Sequence, residues 1–118
     1  MAIYNLHIAP IAIRDQQAIA RYITEDLDNP DAAKRLLEKI ATAIKRLETM
    51  PDMGALLSSI IAVDNDFRFL VTDNYLTFYR HVGNDVFIER VLYGKRDYIK
   101  VLMDGTPSER FGDGDTQE

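Results

Sequence analysis

An amphipathic stretch between residues 33 and 47 constrains the fold of this chain most strongly. Its apolar side chains recur three or four positions apart, as on one face of an α-helix: Ala33, Leu36, Leu37, Ile40, Ala41, Ile44 and Leu47. Lysine, arginine and glutamate fill most of the other positions. A helix with one apolar face must bury it against another element. We therefore expect Leu36, Ile40, Ile44 and Leu47 to lie in the core.

A second helix is predicted immediately before this one. Its apolar side chains also follow a helical spacing: Ile19, Tyr22, Ile23 and Leu27. Asn29 and Pro30 separate the two stretches, and they suit the cap and the first position of a new helix. Two helices joined by so short a connection predict an antiparallel helical hairpin.

Strand patterns lie on both sides of the helices. Residues 3–8 alternate between apolar and polar, and residues 67–71, 75–80 and 86–92 are strand-like runs separated by short turns. The order predicts an α+β fold, βααβββ, with the helical hairpin packed on a small antiparallel sheet. Residues 55–66 are assigned no more than a short strand near 60–63. A closing turn or short helix is expected over residues 97–103.

Composition limits the classes of function. The chain has no cysteine and only two histidines, which argues against disulfides and metal sites, and we expect no cofactor. No apolar stretch is long enough for a membrane span and the N-terminus does not resemble a secretion signal, so a cytoplasmic protein is predicted.

The net charge of −5 is unevenly distributed. Residues 104–118 hold five acids and one arginine, whereas residues 1–103 hold 14 acids and 13 bases. We predict one domain over residues 1–103, followed by a disordered acidic tail over residues 104–118. A nearly neutral domain counts against nucleic acid as its sole target.

Arg90 interrupts an apolar row in the last predicted strand. The row consists of Val86, Ile88 and Leu92. An unpaired guanidinium there would be costly to bury. Arg90 is therefore expected to pair with Glu89 or Asp97, or to be exposed at the sheet edge. Alternatively, it joins Arg68 and Arg96 in a patch that binds an anion or a partner.

Tyrosines are concentrated beside these arginines: Tyr75, Tyr79, Tyr93 and Tyr98. They suit packing at the core or its rim, and they could also stack on bases or donate protons. The densest cluster is the Tyr-Gly-Lys-Arg-Asp-Tyr sequence of residues 93–98, where Gly94 lets the chain leave the sheet and present Lys95 and Arg96.

Several short motifs, in order and at their spacing, resemble the RelE/ParE toxins of bacterial type II toxin–antitoxin systems, over roughly residues 3–103. They are residues 20–23, 29–33, 47–54, Asn-Tyr-Leu-Thr-Phe-Tyr-Arg at 74–80 and Arg-Val-Leu-Tyr-Gly-Lys-Arg-Asp-Tyr at 90–98. The resemblance implies a βααβββ fold, a toxin that inhibits growth, a role in plasmid stabilisation and a cognate antitoxin encoded beside it. The candidate residues for binding the target or the antitoxin are Arg68, Arg80, Arg90, Tyr93, Lys95 and Arg96.

The family divides by target. RelE-like members cut messenger RNA on the ribosome, and Arg68 and Arg96 match their catalytic arginines, with Tyr98 or Tyr93 as a substitute tyrosine. However, residues 55–67 contain no basic residue where that group places catalytic lysines, and Leu102 stands where it places its tyrosine.

The helical region at residues 22–23 and 30–33 is more similar to ParE members, which act on DNA gyrase. The favoured interpretation is a ParE-like inhibitor that binds its target without chemistry of its own. A ribosome-dependent endoribonuclease and a non-toxic antitoxin-binding relative are the alternatives.

Overall fold

The computed structural model describes residues 3–61, 64–94 and 102. In chain order its elements are β1 (Asn5–Ile8), α1 (Pro10–Arg21), a π-helical turn (Tyr22–Asp26), α2 (Pro30–Arg46), β2 (Ala55–Leu56), a 3-10 turn (Leu57–Ser59), β3 (Phe67–Thr72), β4 (Tyr75–Val82) and β5 (Asp85–Tyr93).

The strands form one sheet in the order β1-β5-β4-β3-β2. The α+β architecture is confirmed, but the sheet is mixed, because β1 runs parallel to β5 while the other pairs are antiparallel. The short strand expected near residues 60–63 is wrong for residues 60 and 61, which lie in a turn and a bend. The extra strand is β2, which pairs with β3. Of the element expected over residues 97–103, only Leu102 is described, and it is helical.

The two helices begin where the sequence predicts. Pro10 and Pro30 occupy first positions, and the side chain of Asn29 accepts a hydrogen bond from the Ala32 amide at 3.1 Å. The end of α1 differs from expectation, because its last turn widens into a π-helix. The extra residue in that turn rotates Leu27 away from the apolar face, so Leu27 is 54% exposed.

The main core lies between the helices and one face of the sheet. From α2 and the residue after it, this core receives Ala33, Leu36, Ile40, Ile44 and Leu47, which confirms the predicted burial. The buried face of α2 is narrower than expected, since Ala41 is exposed.

A smaller apolar cluster covers the opposite face of the sheet. It consists of Leu57, Phe78, Leu92 and Leu102, with Phe67 and Phe69 packed against it. Adjacent positions in a strand point to opposite faces, so Phe78 joins this cluster while Tyr79 joins the main core. Leu102 therefore lies on the face of the sheet opposite the helices.

Candidate functional site

A β-bulge in β5 changes the direction of the residues that follow it. Tyr79 is paired with Ile88 and Phe78 with Arg90, which leaves Glu89 as an extra residue between them. Ile88 packs towards the helices, whereas Leu92 belongs to the cluster on the other face. The single apolar row expected through Val86, Ile88, Arg90 and Leu92 was wrong, because the bulge interrupts the alternation.

Arg90 forms a buried ion pair with Asp15 of α1. Its Nε and Nη2 atoms donate to the two carboxylate oxygens at 2.8 and 2.9 Å. The same carboxylate accepts the Val91 amide at 3.0 Å. β1 ends at Ile8, opposite Ile88, so Asp15 provides an acceptor at the edge of β5 beyond the last residue of β1.

Arg90 is therefore an internal residue. It is only 3% exposed, so the expectation that it lies on a binding surface with Arg68 and Arg96 is wrong for Arg90. The ion-pair alternative holds, but with Asp15 as a partner that the sequence analysis missed. Asp15 lies three residues after Ala12 and four before Ile19, within the buried stripe of α1, and an acid at such a position was an available signal.

Arg68 holds a loop against the start of β3. Its Nη1 donates to the carbonyl oxygens of Asp52 and Gly54 at 3.1 and 2.8 Å, and its Nε lies 3.5 Å from the Asp52 carboxylate. His81 approaches the same carboxylate through Nδ1 at 2.8 Å. The guanidinium is thus occupied by acceptors of its own chain.

Tyr79 fixes the same loop from inside the core. Its hydroxyl donates to the Pro51 carbonyl at 2.8 Å and accepts the Gly54 amide at 2.9 Å. Burial raises the pKa of Tyr79, and the hydrogen bond from Gly54 opposes this only in part. A Cβ on residue 54 would lie 2.6 Å from that hydroxyl, so the close approach requires glycine.

Arg80 lies on the other face of the sheet from Arg68. In the register Arg68 is opposite Tyr79 and Arg80 is opposite Phe67, and paired residues share a face. Arg80 donates from Nε and Nη2 to the two carboxylate oxygens of Asp66, at 2.9 and 3.1 Å. The hydrogen bond from Arg80 lowers the pKa of Asp66, and Asp66 in turn raises that of Arg80.

A cleft of about 500 Å³ opens between the end of α1, the start of α2 and the β3–β4 turn. We call it the tyrosine cleft, after Tyr22, Tyr75 and Tyr93 among its lining residues; the others are Ile23, Leu27, Asn29, Ala32, Leu36, Asp73 and Asn74. The Tyr75 and Tyr93 rings contact each other with centroids 5.5 Å apart. Tyr93 is thus a cleft residue, buried to all but 4% of its surface.

The motif of residues 93–98 begins at this cleft. The Gly94 amide donates to the carbonyl of Asn74 at 2.8 Å, which fixes the end of β5 beside the β3–β4 turn. Lys95, Arg96 and Tyr98, the remaining candidates from the sequence, lie outside the described residues.

Comparison with known proteins identifies the family. Residues 6–98 match the model of the ParE toxin of the type II toxin–antitoxin system parDE. The chain belongs to the ParE toxin family.

The fold of this ParE-family chain is similar to a solved structure described as the chromosomal ParDE toxin–antitoxin system from P. aeruginosa. The TM-score is 0.62 and the sequences are 22% identical, over 75% of this chain and 94% of the other. No curated protein sequence matches the chain.

Two positions bear on the nuclease alternative, Arg68 and Leu102. Arg68 is bound by two carbonyls and a carboxylate. Leu102 is a buried residue of the smaller cluster, so a position where ribosomal nucleases place a tyrosine is here part of the core. Over residues 3–61, 64–94 and 102 no group of three histidines or acids could hold a metal ion. Within the same residues, no helix combines the length and apolar content of a bilayer span.

Proposed function

We propose that this chain is a growth-inhibiting toxin that binds a protein target, DNA gyrase, and is neutralised by a cognate antitoxin. Membership of the ParE family supports the toxin class, and the ParDE system to which the fold is similar is a toxin–antitoxin pair. Inhibition is by binding, without bond-making chemistry. A gyrase target implies action in the cytoplasm.

The hydrogen bonds of Arg68 are the observation that favours binding over RNA cleavage as the mechanism. A catalytic arginine stabilises a phosphate by directing its N–H groups at the charge that develops in the transition state. The Arg68 guanidinium instead donates to the carbonyls of Asp52 and Gly54 and lies beside a carboxylate. A phosphate bound through Nη1 would have to displace the two carbonyl acceptors and release the loop.

We propose the tyrosine cleft, together with Lys95 and Arg96, as the surface that binds the antitoxin or the target. The cleft has room for one or two apolar side chains, and Leu27 at its rim is 54% exposed. Gly94 is fixed beside the cleft, and Lys95 and Arg96 are the next two residues of the sequence. Arg80, on the opposite face from the helices, is a secondary candidate.

Induced expression in a bacterial host tests the function. We expect growth arrest with an early DNA-damage response while protein synthesis continues, as measured by an SOS reporter and by pulse labelling. Arrest with immediate loss of protein synthesis and cleaved messenger RNA would favour the nuclease alternative. Growth without arrest would favour the non-toxic relative. Co-expression of the adjacent small gene should restore growth and yield a complex that co-purifies.

A matched pair of variants tests the surface. Leu27→Asp places a charge at the rim of the cleft, whereas Val82→Asp places the same charge on an exposed residue beside the β4–β5 turn. We expect Leu27→Asp to weaken antitoxin or gyrase binding at least tenfold, which is about 1.4 kcal/mol. Val82→Asp should leave binding unchanged. Equal behaviour of the two variants would contradict the assignment of the cleft.

A further inference from the structure

A second groove lies between α2 and the outer edge of β3, with a volume of about 460 Å³. Its lining residues are Arg35, Glu38, Lys39, Thr42, Ala43, Arg46, Val71 and Thr72. Val71 is paired with Leu76, which packs on the opposite face of the sheet, so the backbone of Val71 borders this groove while its side chain, 64% exposed, lies on the other face. β2 pairs with β3 only at Phe69 and Arg68, so within the described residues no strand covers the edge of β3 over residues 70–72. We call this surface the α2–β3 groove.

The α2–β3 groove is basic, in a chain whose net charge is −5. Arg35, Lys39 and Arg46 face one acid, Glu38, in its lining. Arg35 and Arg46 are eleven residues apart, about 16 Å along a helix. Lys39 lies 3.2 Å from Asp73 in an exposed ion pair, whereas neither arginine pairs with an acid among the described residues.

The same chain carries a segment of complementary chemistry. Residues 104–118 hold five acids and one arginine, a net charge of −4. They contain a single aromatic residue, Phe111, which has Glu109 and Arg110 before it and Asp113 and Asp115 after it. Extended chain spans about 3.3 Å per residue, so Glu109 and Asp115 would lie about 20 Å apart. This spacing is comparable to the 16 Å between the two arginines of the groove.

The segment also has the length to reach the groove. Leu102 is packed beneath β3 and β4, in the cluster that contacts Phe67 and Phe69. Nine residues lead from Leu102 to Phe111, about 30 Å of extended chain. The path around the edge of β3 crosses the sheet and about one layer spacing of 10 Å on each side. The connection is therefore long enough without moving any described element.

We propose that residues 109–115 of this chain bind in the α2–β3 groove. The Phe111 ring packs on Ala43 and on the backbone of Val71 and Thr72, and the acids on either side of it face Arg35, Lys39 and Arg46. Residues 109–115 are attached to the domain that carries the groove, so their effective concentration there is on the order of millimolar. The groove is therefore occupied even if the contact has a low intrinsic affinity. The charges are exposed, so the contact weakens as salt is added. The groove is then closed to other acidic segments until the tail is displaced.

A spin label on the tail of the full-length chain tests the proposal. The sequence contains no cysteine, so Ser108→Cys provides one attachment point for a nitroxide. In the 15N-labelled protein at low salt, we expect strong broadening of the amide signals of Thr42, Ala43, Val71 and Thr72. Reduction of the nitroxide gives the reference spectrum. At 0.5 M salt the broadening should be largely lost.

Two matched charge reversals identify the contact. Arg35→Glu with Arg46→Glu should abolish the broadening in the groove, whereas Arg14→Glu with Arg21→Glu, an equal charge change on exposed positions of α1, should preserve it. Broadening that survives the first pair, lies elsewhere or is absent at low salt would overturn the proposal. The same broadening in a mixture of spin-labelled 14N protein with unlabelled 15N protein would overturn the intramolecular contact and assign the groove to the tail of a second copy.

Discussion

Replacement of Asp15 tests the structural account of β5 most directly. The Asp15→Asn variant keeps the size of the side chain but removes its charge. The carboxylate accepts hydrogen bonds from Arg90 Nε, Arg90 Nη2 and the Val91 amide. In the variant, an NH2 group faces one of these donors in place of an acceptor. At least one donor loses its partner, and the buried charge of Arg90 loses the carboxylate of Asp15.

The expected magnitude follows from burial. Both members of the pair have side chains no more than 3% exposed, so solvent cannot replace the lost interaction. Breaking a buried ion pair by removing one partner typically costs about 3–5 kcal/mol. We expect Asp15→Asn to lower the free energy of unfolding by at least 3 kcal/mol, a large part of the roughly 5–15 kcal/mol of a typical domain.

Urea denaturation followed by circular dichroism measures this change, with Asp26→Asn, at an exposed position, as the control. A double variant, Asp15→Leu with Arg90→Leu, should recover much of the loss because it buries no charge. It should still fall short of the parent by about 1–3 kcal/mol, since the Val91 amide remains without its acceptor. A loss below 1 kcal/mol for Asp15→Asn would refute the reasoning.

Four further outcomes are expected. Ile40→Ala, at a fully buried position, should lower the free energy of unfolding by about 2–5 kcal/mol in the same assay. Gly54→Ala should destabilise the protein by about 1–3 kcal/mol, because the added Cβ would lie 2.6 Å from the Tyr79 hydroxyl; an unchanged melting temperature would contradict this contact. In an ultraviolet titration, the Tyr79 hydroxyl should ionise above the ordinary range near 10, and Tyr79→Phe should remove that transition. The pKa of Asp66 is lowered from 3.8, so its pair with Arg80 is stabilising above about pH 4 and is lost progressively as the pH falls; Asp66→Asn should cost up to about 1 kcal/mol at pH 6 and less in acid, by urea denaturation at both pH values.

The architecture could be predicted because its signals are local. The apolar stripe of α2 needs only a 3.6-residue period, and Asn29 with Pro30 marks the start of that helix by capping chemistry. The same local rules failed where the backbone departs from a regular period. The π turn after α1 exposed Leu27, and the bulge at Glu89 moved Arg90 out of an apolar row.

The sequence could not show which arginines are exposed, because the residues that bind Arg68 and Arg90 lie far from them in the chain. Asp15 lies 75 residues before Arg90, and Asp52 lies 16 before Arg68. No periodicity connects such positions. Part of the tyrosine cleft could be predicted, since the sequence singled out Tyr75 and Tyr93. Tyr22 and Leu27 lie beside them only because of the fold.

The parallel pairing of β1 with β5 has a consequence for biosynthesis. Asn5 is paired with Asp85 and Ile8 with Ile88. The ribosome must therefore add 80 further residues after β1 before the strand that pairs with it has been made. Contacts of such large sequence separation form late and slow the folding of a domain. The nascent chain therefore cannot complete its sheet until β5 has emerged. A ParE-family domain built in this way does not complete its fold during the early part of its own translation.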